Sequence, residues 1–182
     1  MTFEPLPVAG AYLITPQKRS DERGHFARVF CRDELTAQGL CADYCQANTA
    51  LSPRTGTLRG LHLQRTPHAE VKLVRCTRGS VFDVVLDLRP DSPTYLRWHG
   101  TELSADNAAM LYAPAGTAHG YLTLTDDTEL LYMTSAKYAP DAATGVRFDD
   151  RAFAIRWPRD ITLVSQADRG WPDFQTGHST SP

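Results

Sequence analysis

The sequence predicts an all-β protein, built as a barrel or a sandwich, and three observations carry that prediction. Segments 71–75, 80–89, 95–103, 109–113, 119–125 and 128–138 are rich in β-branched and aromatic residues, and Gly, Pro, Asp and Asn breaks separate them. The run 81–89 alternates with the period of a strand. Helical signals are scarce. Short strands at this spacing close into a barrel or stack as two sheets.

In chain order, the first element with a clear physical basis is a short helix over 32–39, where Asp33 and Glu34 sit in the first turn and Gly39 supplies the stop. Next comes Arg59-Gly60-Leu61-His62-Leu63-Gln64, followed by Lys72 within Val71-Lys72-Leu73-Val74-Arg75. This strings a base candidate and two cations across paired strands, where a small anionic substrate meets all three. In 81–89, Phe82, Val84, Leu86 and Leu88 share one face, while Asp83, Asp87 and Arg89 share the other. Taken alone, an Asp on such a strand belongs to a solvated sheet face; the sharper reading makes Asp83 the hydrogen-bond partner of a pocket histidine. A second histidine follows in Pro114-Ala115-Gly116-Thr117-Ala118-His119-Gly120-Tyr121, and Tyr132 lies in the last strand segment, as a core tyrosine or as an acid. Residues 1–174 are expected to form one domain, and the polar stretch 175–182 a frayed tail without function.

Composition narrows the function. At 182 residues with 42% hydrophobic and 22% charged content, the chain is globular in type. A net charge of −2 argues against nucleic-acid binding, which needs a basic surplus, so any bound anion is expected to be small. No apolar run approaches the roughly 20 residues of a membrane span. Cys31, Cys41, Cys45 and Cys76 form no CxxC pair, and the N-terminus lacks the pattern of a signal peptide, so reduced thiols and a cytoplasmic location are expected. Cys41 and Cys45 would make half a metal site, but no second half is evident.

Taken together, the short motifs resemble a known family. Asp21-Glu22-Arg23-Gly24 with Phe26, Arg59-Gly60-Leu61-His62, Lys72-Leu73-Val74, Asp91-Ser92-Pro93-Thr94 and Ala118-His119-Gly120 follow in order. Tyr132, Tyr138-Ala139-Pro140, Trp157-Pro158 and Ser165-x-x-Asp168 complete the series. Over about residues 3 to 170 this succession is similar to the dTDP-4-dehydrorhamnose 3,5-epimerase family. The resemblance implies a cupin-type β jelly roll (double-stranded β-helix), a homodimer, no cofactor or metal, and epimerisation of a 4-keto-6-deoxy sugar on a nucleoside diphosphate in deoxysugar biosynthesis. Metal cupins carry a His-x-His pair, and here it reads His62-Leu63-Gln64, which leaves one imidazole where two would ligate.

The chemistry of such a reaction follows from the substrate. A ketone at C4 makes the protons at C3 and C5 removable, since the electrons left behind spread onto the carbonyl oxygen as an enolate. Inversion then needs a base on one face, a cation at the enolate oxygen and an acid on the other face. His62 suits the base, because free imidazole titrates near roughly pH 6.5. By resemblance Asp168 orients His62, Lys72 faces the oxyanion, and Tyr132 is the acid. His119 donates to the substrate, with Asp83 behind it. Arg23, Gln46, Asn48 and Arg59 grip substrate and diphosphate, while Phe26 belongs to the substrate-binding set and Tyr138 borders the nucleotide. The chain departs from the family pattern at Arg28 and Ala143 (each usually Glu), Glu70 (often Gln) and Ala167 (often Lys). These departures leave open a single-carbon epimerase or a different nucleotide such as CDP. The other readings are a sugar 3,4-ketoisomerase and a non-catalytic carbohydrate-binding jelly roll.

Overall fold

The computed structural model describes residues 1–175, so most of the expected tail, residues 176–182, lies outside the described residues. Strands β1 (Thr2–Pro5), β2 (Tyr12–Thr15), β3 (Arg19–Asp21) and β4 (Gly24–Phe26) precede the short helix α1 (Arg32–Ala37). The body of the fold comprises β5 (Gln46–Ser52), β6 (Thr57–Gln64), β7 (Lys72–Arg78), β8 (Ser80–Asp87), β9 (Trp98–Ser104), β10 (Met110–Ala113), β11 (Thr117–Thr123) and β12 (Thr128–Thr134). It closes with β13 (Ala143–Gly145), β14 (Leu163–Val164) and the one-turn α2 (Gln166–Arg169).

Two large sheets face each other. One runs β1-β2-β10-β7-β12-β5; the other runs β13-β6-β11-β8-β9, with β14 added parallel to β6. Among the described residues, hairpin β3-β4 pairs only with itself. Between the sheets, Val74, Cys76, Val81, Val85, Leu103, Leu111 and Leu130 form the inner core. The outer face of the first sheet carries Ile14, Leu73, Met110 and Tyr112, packed against Leu35 of α1. The outer face of the second carries Leu61, Val84 and Leu86, covered by Val146, Phe153 and Trp157 from the returning C-terminal segment. Both sheets are therefore sandwiched on their outer sides as well.

The strands expected over 71–138 are present; β7 runs on to Arg78 and β11 starts at Thr117, while two others are trimmed for local reasons. The expected strand 95–103 begins instead at Trp98, because Thr94 and Ser92 bond the Asp87 carboxylate and Leu96 turns at φ +63°. Segment 128–138 stops as a strand at Thr134, beyond which the Gln46 and Gln64 side chains accept from the Tyr138 and Ala139 amides. Helix α1 ends as expected before Gly39, which sits at φ +70°. The solvated-face reading of 81–89 is corrected: Asp83 and Asp87 are both buried, on the face that looks between the sheets. Each meets a specific partner, His119 at Asp83 Oδ1 and Arg89 at Asp87, while Asp83 Oδ2 is buried with no hydrogen-bond partner among the described residues. The N-terminal strands and β5 and β6 were not set apart by composition, being short or interrupted by Gly, Pro and polar residues.

Candidate active site

The site begins with a bulge. Along β6 and β11, His62 pairs with His119 and Arg59 with Tyr121, so two residues of β6, Gly60 and Leu61, lie opposite the one residue Gly120 of β11. Period-two alternation would put Arg59 and His62 on opposite faces; the extra residue brings both to the inner one. Glycines make this possible. Gly60 has φ +125°, and a Cβ there would lie 2.5 Å from Gly120 Cα, while one on Gly120 would lie 2.8 Å from the Arg59 carbonyl. The two backbones thus touch beside the two histidines.

Asp168 arrives from the far end of the chain. Ser165 caps α2 by accepting from the Asp168 amide, which aims the carboxylate back at β6. Its Oδ1 lies 2.6 Å from His62 Nε2, and its Oδ2 accepts from the Gly60 amide at 3.3 Å. One carboxylate holds both the ring and the bulge. Burial works to raise the Asp168 carboxyl, but the hydrogen bond and charge of His62, with the Gly60 amide and Ser165, outweigh it and hold the group below the usual range. With a proton on Nε2 facing Asp168, Nδ1 is the nitrogen left with a free lone pair.

Facing His62 across the interior are Lys72 of β7 and Tyr132 of β12. Lys72 Nζ donates to the His62 carbonyl at 3.0 Å and lies 3.2 Å from Glu70 Oε1. Its burial favours the neutral amine, and the charges of Glu70 and Asp83 act against that. Beside them His119 Nε2 meets Asp83 Oδ1 at 2.8 Å, with Asp83 wholly buried behind it.

Two adjoining lobes of about 600 and 640 Å³ open between the sheets and share His62, Lys72, Tyr132 and Asp168. Together they reach the size of a small-molecule site. Gln46, Asn48 and Tyr138 line the first lobe, Arg59 and His119 the second. Arg59 is anchored by Ser52 and the Leu51 carbonyl. Arg23 and Phe26 are not brought to this cavity: they lie on the exposed β3-β4 hairpin, where Arg23 pairs with Asp21 and Phe26 is 71% exposed. Gln64 donates to the His68 and Lys137 carbonyls and accepts from Ala139, so the second position of the His-x-His pattern serves loop structure. Among the described residues no group of three His, Cys, Asp or Glu side chains gathers at metal-binding distance. Sequence reasoning passed over Trp171 and Thr144 in the first lobe, although Trp171 lies three residues beyond Asp168 and Thr144 adjoins Ala143.

Facing β-sheets around a cavity, on which two histidine–carboxylate pairs, a lysine and a tyrosine converge, make this a cupin-type jelly roll. The family model for dTDP-4-dehydrorhamnose 3,5-epimerase matches residues 5–176, and the chain belongs to that family. It is 44% identical to the dTDP-4-dehydrorhamnose 3,5-epimerase of Sinorhizobium fredii, covering 96% of this chain and 90% of that one. It is 39% identical to a dTDP-4-dehydrorhamnose 3-epimerase of Streptomyces niveus, covering 93% and 82%. The crystal structure of the 3,5-epimerase from Bacillus anthracis with TDP and PPi bound superposes with a TM-score of 0.92 at 36% identity, covering 95% of this chain and 99% of that one. The chain is accordingly an isomerase, an epimerase. No helix among the described residues is long and apolar enough to cross a membrane.

Proposed function

We propose that the protein inverts C3, C5 or both in dTDP-4-keto-6-deoxyglucose, working in the cytoplasm in deoxysugar biosynthesis. The observation that carries this reading is the single cavity in which His62, backed by Asp168 on one sheet, faces Lys72 and Tyr132 on the other. His62 takes the proton next to the ketone, and the electron pair moves onto the C4 oxygen beside the Lys72 ammonium. Tyr132 then returns a proton to the opposite face of the same carbon. His62 loses its extra proton to solvent and Tyr132 regains one, so the sugar is isomerised without net gain or loss. His119, held by Asp83, donates to the sugar; Gln46, Asn48, Arg59 and Tyr138 hold the rest of the nucleotide. Four unpaired cysteines fit a reducing compartment.

Arg23 and Phe26 complete the substrate-binding set from a second copy of the chain. Their hairpin lies outside its own cavity and leaves an apolar ring exposed, so the substrate role and the homodimer stand together. Residues 1–174 act as one domain.

The deciding experiment follows deuterium from heavy water into the sugar of dTDP-4-keto-6-deoxyglucose. Label at C3 or C5 is expected, and the positions labelled distinguish single from double inversion. No label at either carbon, with CDP and other nucleotides also tried, would sink the proposal, and a displaced ketone would favour a ketoisomerase. A mass measurement showing only monomers in an active sample would overturn the shared-site arrangement.

A further inference from the structure

Just before β7, Glu70 sits inside the first lobe of the cavity. Its side chain is 6% exposed, Oε1 lies 3.2 Å from Lys72 Nζ, and Oε2 is buried with no hydrogen-bond partner among the described residues. A buried carboxylate oxygen left bare opposes folding unless a ligand or water meets it. Lys72, for its part, is a buried ammonium with few counter-charges. Around it stand Asp83 on β8, the His62 carbonyl and ring on β6, His119 on β11, Tyr132 on β12 and Asp168 on α2. Of the carboxylates, Asp83 is engaged by His119 and Asp168 by His62, which leaves Glu70 as the one whose first partner is Lys72.

We propose that Glu70 is a positioning residue, which keeps Lys72 an ammonium through Oε1 and offers Oε2 to a hydroxyl of the bound sugar nucleotide. Only the identity of the ligand rests on the epimerase reading. A phosphate oxygen has no proton to give and would be repelled at this wall, so the diphosphate lies elsewhere in the cavity. The direction of the charge effect agrees: burial draws Lys72 towards the neutral amine, and Glu70 is the largest influence opposing it. Gln at this position, as the family pattern often has, would keep the shape and lose the charge.

The chain has three lysines, and Lys18 and Lys137 are exposed, so the Lys72 ε-carbon resonance can be followed against pH in labelled protein and assigned by its disappearance in Lys72→Arg. In Glu70→Gln the Lys72 midpoint is expected to fall by about one pH unit or more, and in Glu70→Asp by less. In turnover, the alkaline limb of kcat should move to lower pH with it, and KM should rise about tenfold in Glu70→Ala, where no acceptor is left for the hydroxyl. A Lys72 midpoint that is the same in wild type and Glu70→Gln overturns the proposal, as does an unchanged Glu70→Asp should the Gln variant not fold. An unchanged KM in Glu70→Ala overturns the hydroxyl contact. Wild-type protein that exchanges no deuterium defeats the epimerase reading instead, and the lysine titration still decides for or against Glu70.

Discussion

Two histidine–carboxylate pairs lie side by side on the inner face of one sheet, joined by cross-strand pairing of His62 with His119. In the first, the ring is 48% exposed and its carboxylate comes from 106 residues away, on a helix that caps the barrel mouth. In the second, the ring is 10% exposed and Asp83 has no exposure at all, both coming from adjacent core strands. The chemistry of the pairs is the same, and access separates them. A half-open imidazole can exchange protons with a ligand and with water, whereas a walled-in one serves as a fixed hydrogen-bonding surface. The proposal that His62 is the base and His119 a ligand-positioning group draws support from that contrast.

The sharpest way to break it is to remove each ring. His62→Ala should lower deuterium exchange by about 10³-fold, and His119→Ala by about 10- to 100-fold with a larger share in KM. Equal losses in kcat would erase the distinction. Tyr132→Phe refines it from the opposite face: exchange should survive better than net inversion, because abstraction by His62 needs no phenol, and parallel loss of both would remove Tyr132 from the acid role. The carboxylates come next. Asp168→Asn should lower kcat by about 10²-fold with thermal stability little changed, whereas Asp83→Asn should cost about 1–3 kcal/mol of stability, read by denaturant titration. Gly120→Ala tests the shared backbone contact, since its Cβ meets the Arg59 carbonyl at 2.8 Å; a loss of about 1–3 kcal/mol is expected together with weakened substrate binding.

The smallest effect concerns a third carboxylate, Asp87, on the same strand as Asp83. Burial pushes it up, but hydrogen bonds from Arg89, Ser92 and Thr94 prevail and bring it down to about 2. A group with a depressed folded value stabilises the protein above its unfolded value, near roughly pH 3.9, and that contribution is lost as pH falls towards about 2. Asp87→Asn should therefore flatten the acid limb of a stability–pH curve measured by urea unfolding. An unchanged limb would place that acid sensitivity elsewhere.

Much of the fold could be read in the residues. Branched and aromatic runs separated by turn formers marked β7 to β12, and Gly39 marked the end of α1, because these signals are local. Other parts had no local signature. Strand β5, Gln-Ala-Asn-Thr-Ala-Leu-Ser, has almost no β-forming character and exists because β12 offers it a partner along seven register positions. Alternation in 81–89 is visible, but water and a barrel interior both tolerate an Asp, so the pattern leaves the polar face open between solvent and a histidine partner, and the structure decides for the partner. The motifs around His62, Lys72, His119, Tyr132 and Asp168 pointed to residues that do meet in one cavity. Arg23 and Phe26 were chosen by the same kind of motif, and their hairpin keeps them outside it.

Read in order, then, the chain specifies its strand periods, its turns and the kinds of side chain that chemistry requires, since each depends on neighbours within a few positions. It does not specify which of those side chains share a surface. One extra residue in β6 turns Arg59 to the same side as His62, and one Ser-capped turn swings Asp168 onto a ring 106 positions earlier. Both are settled by backbone packing between distant segments, where contact distances of a few ångströms, rather than spacing along the chain, determine which groups act together.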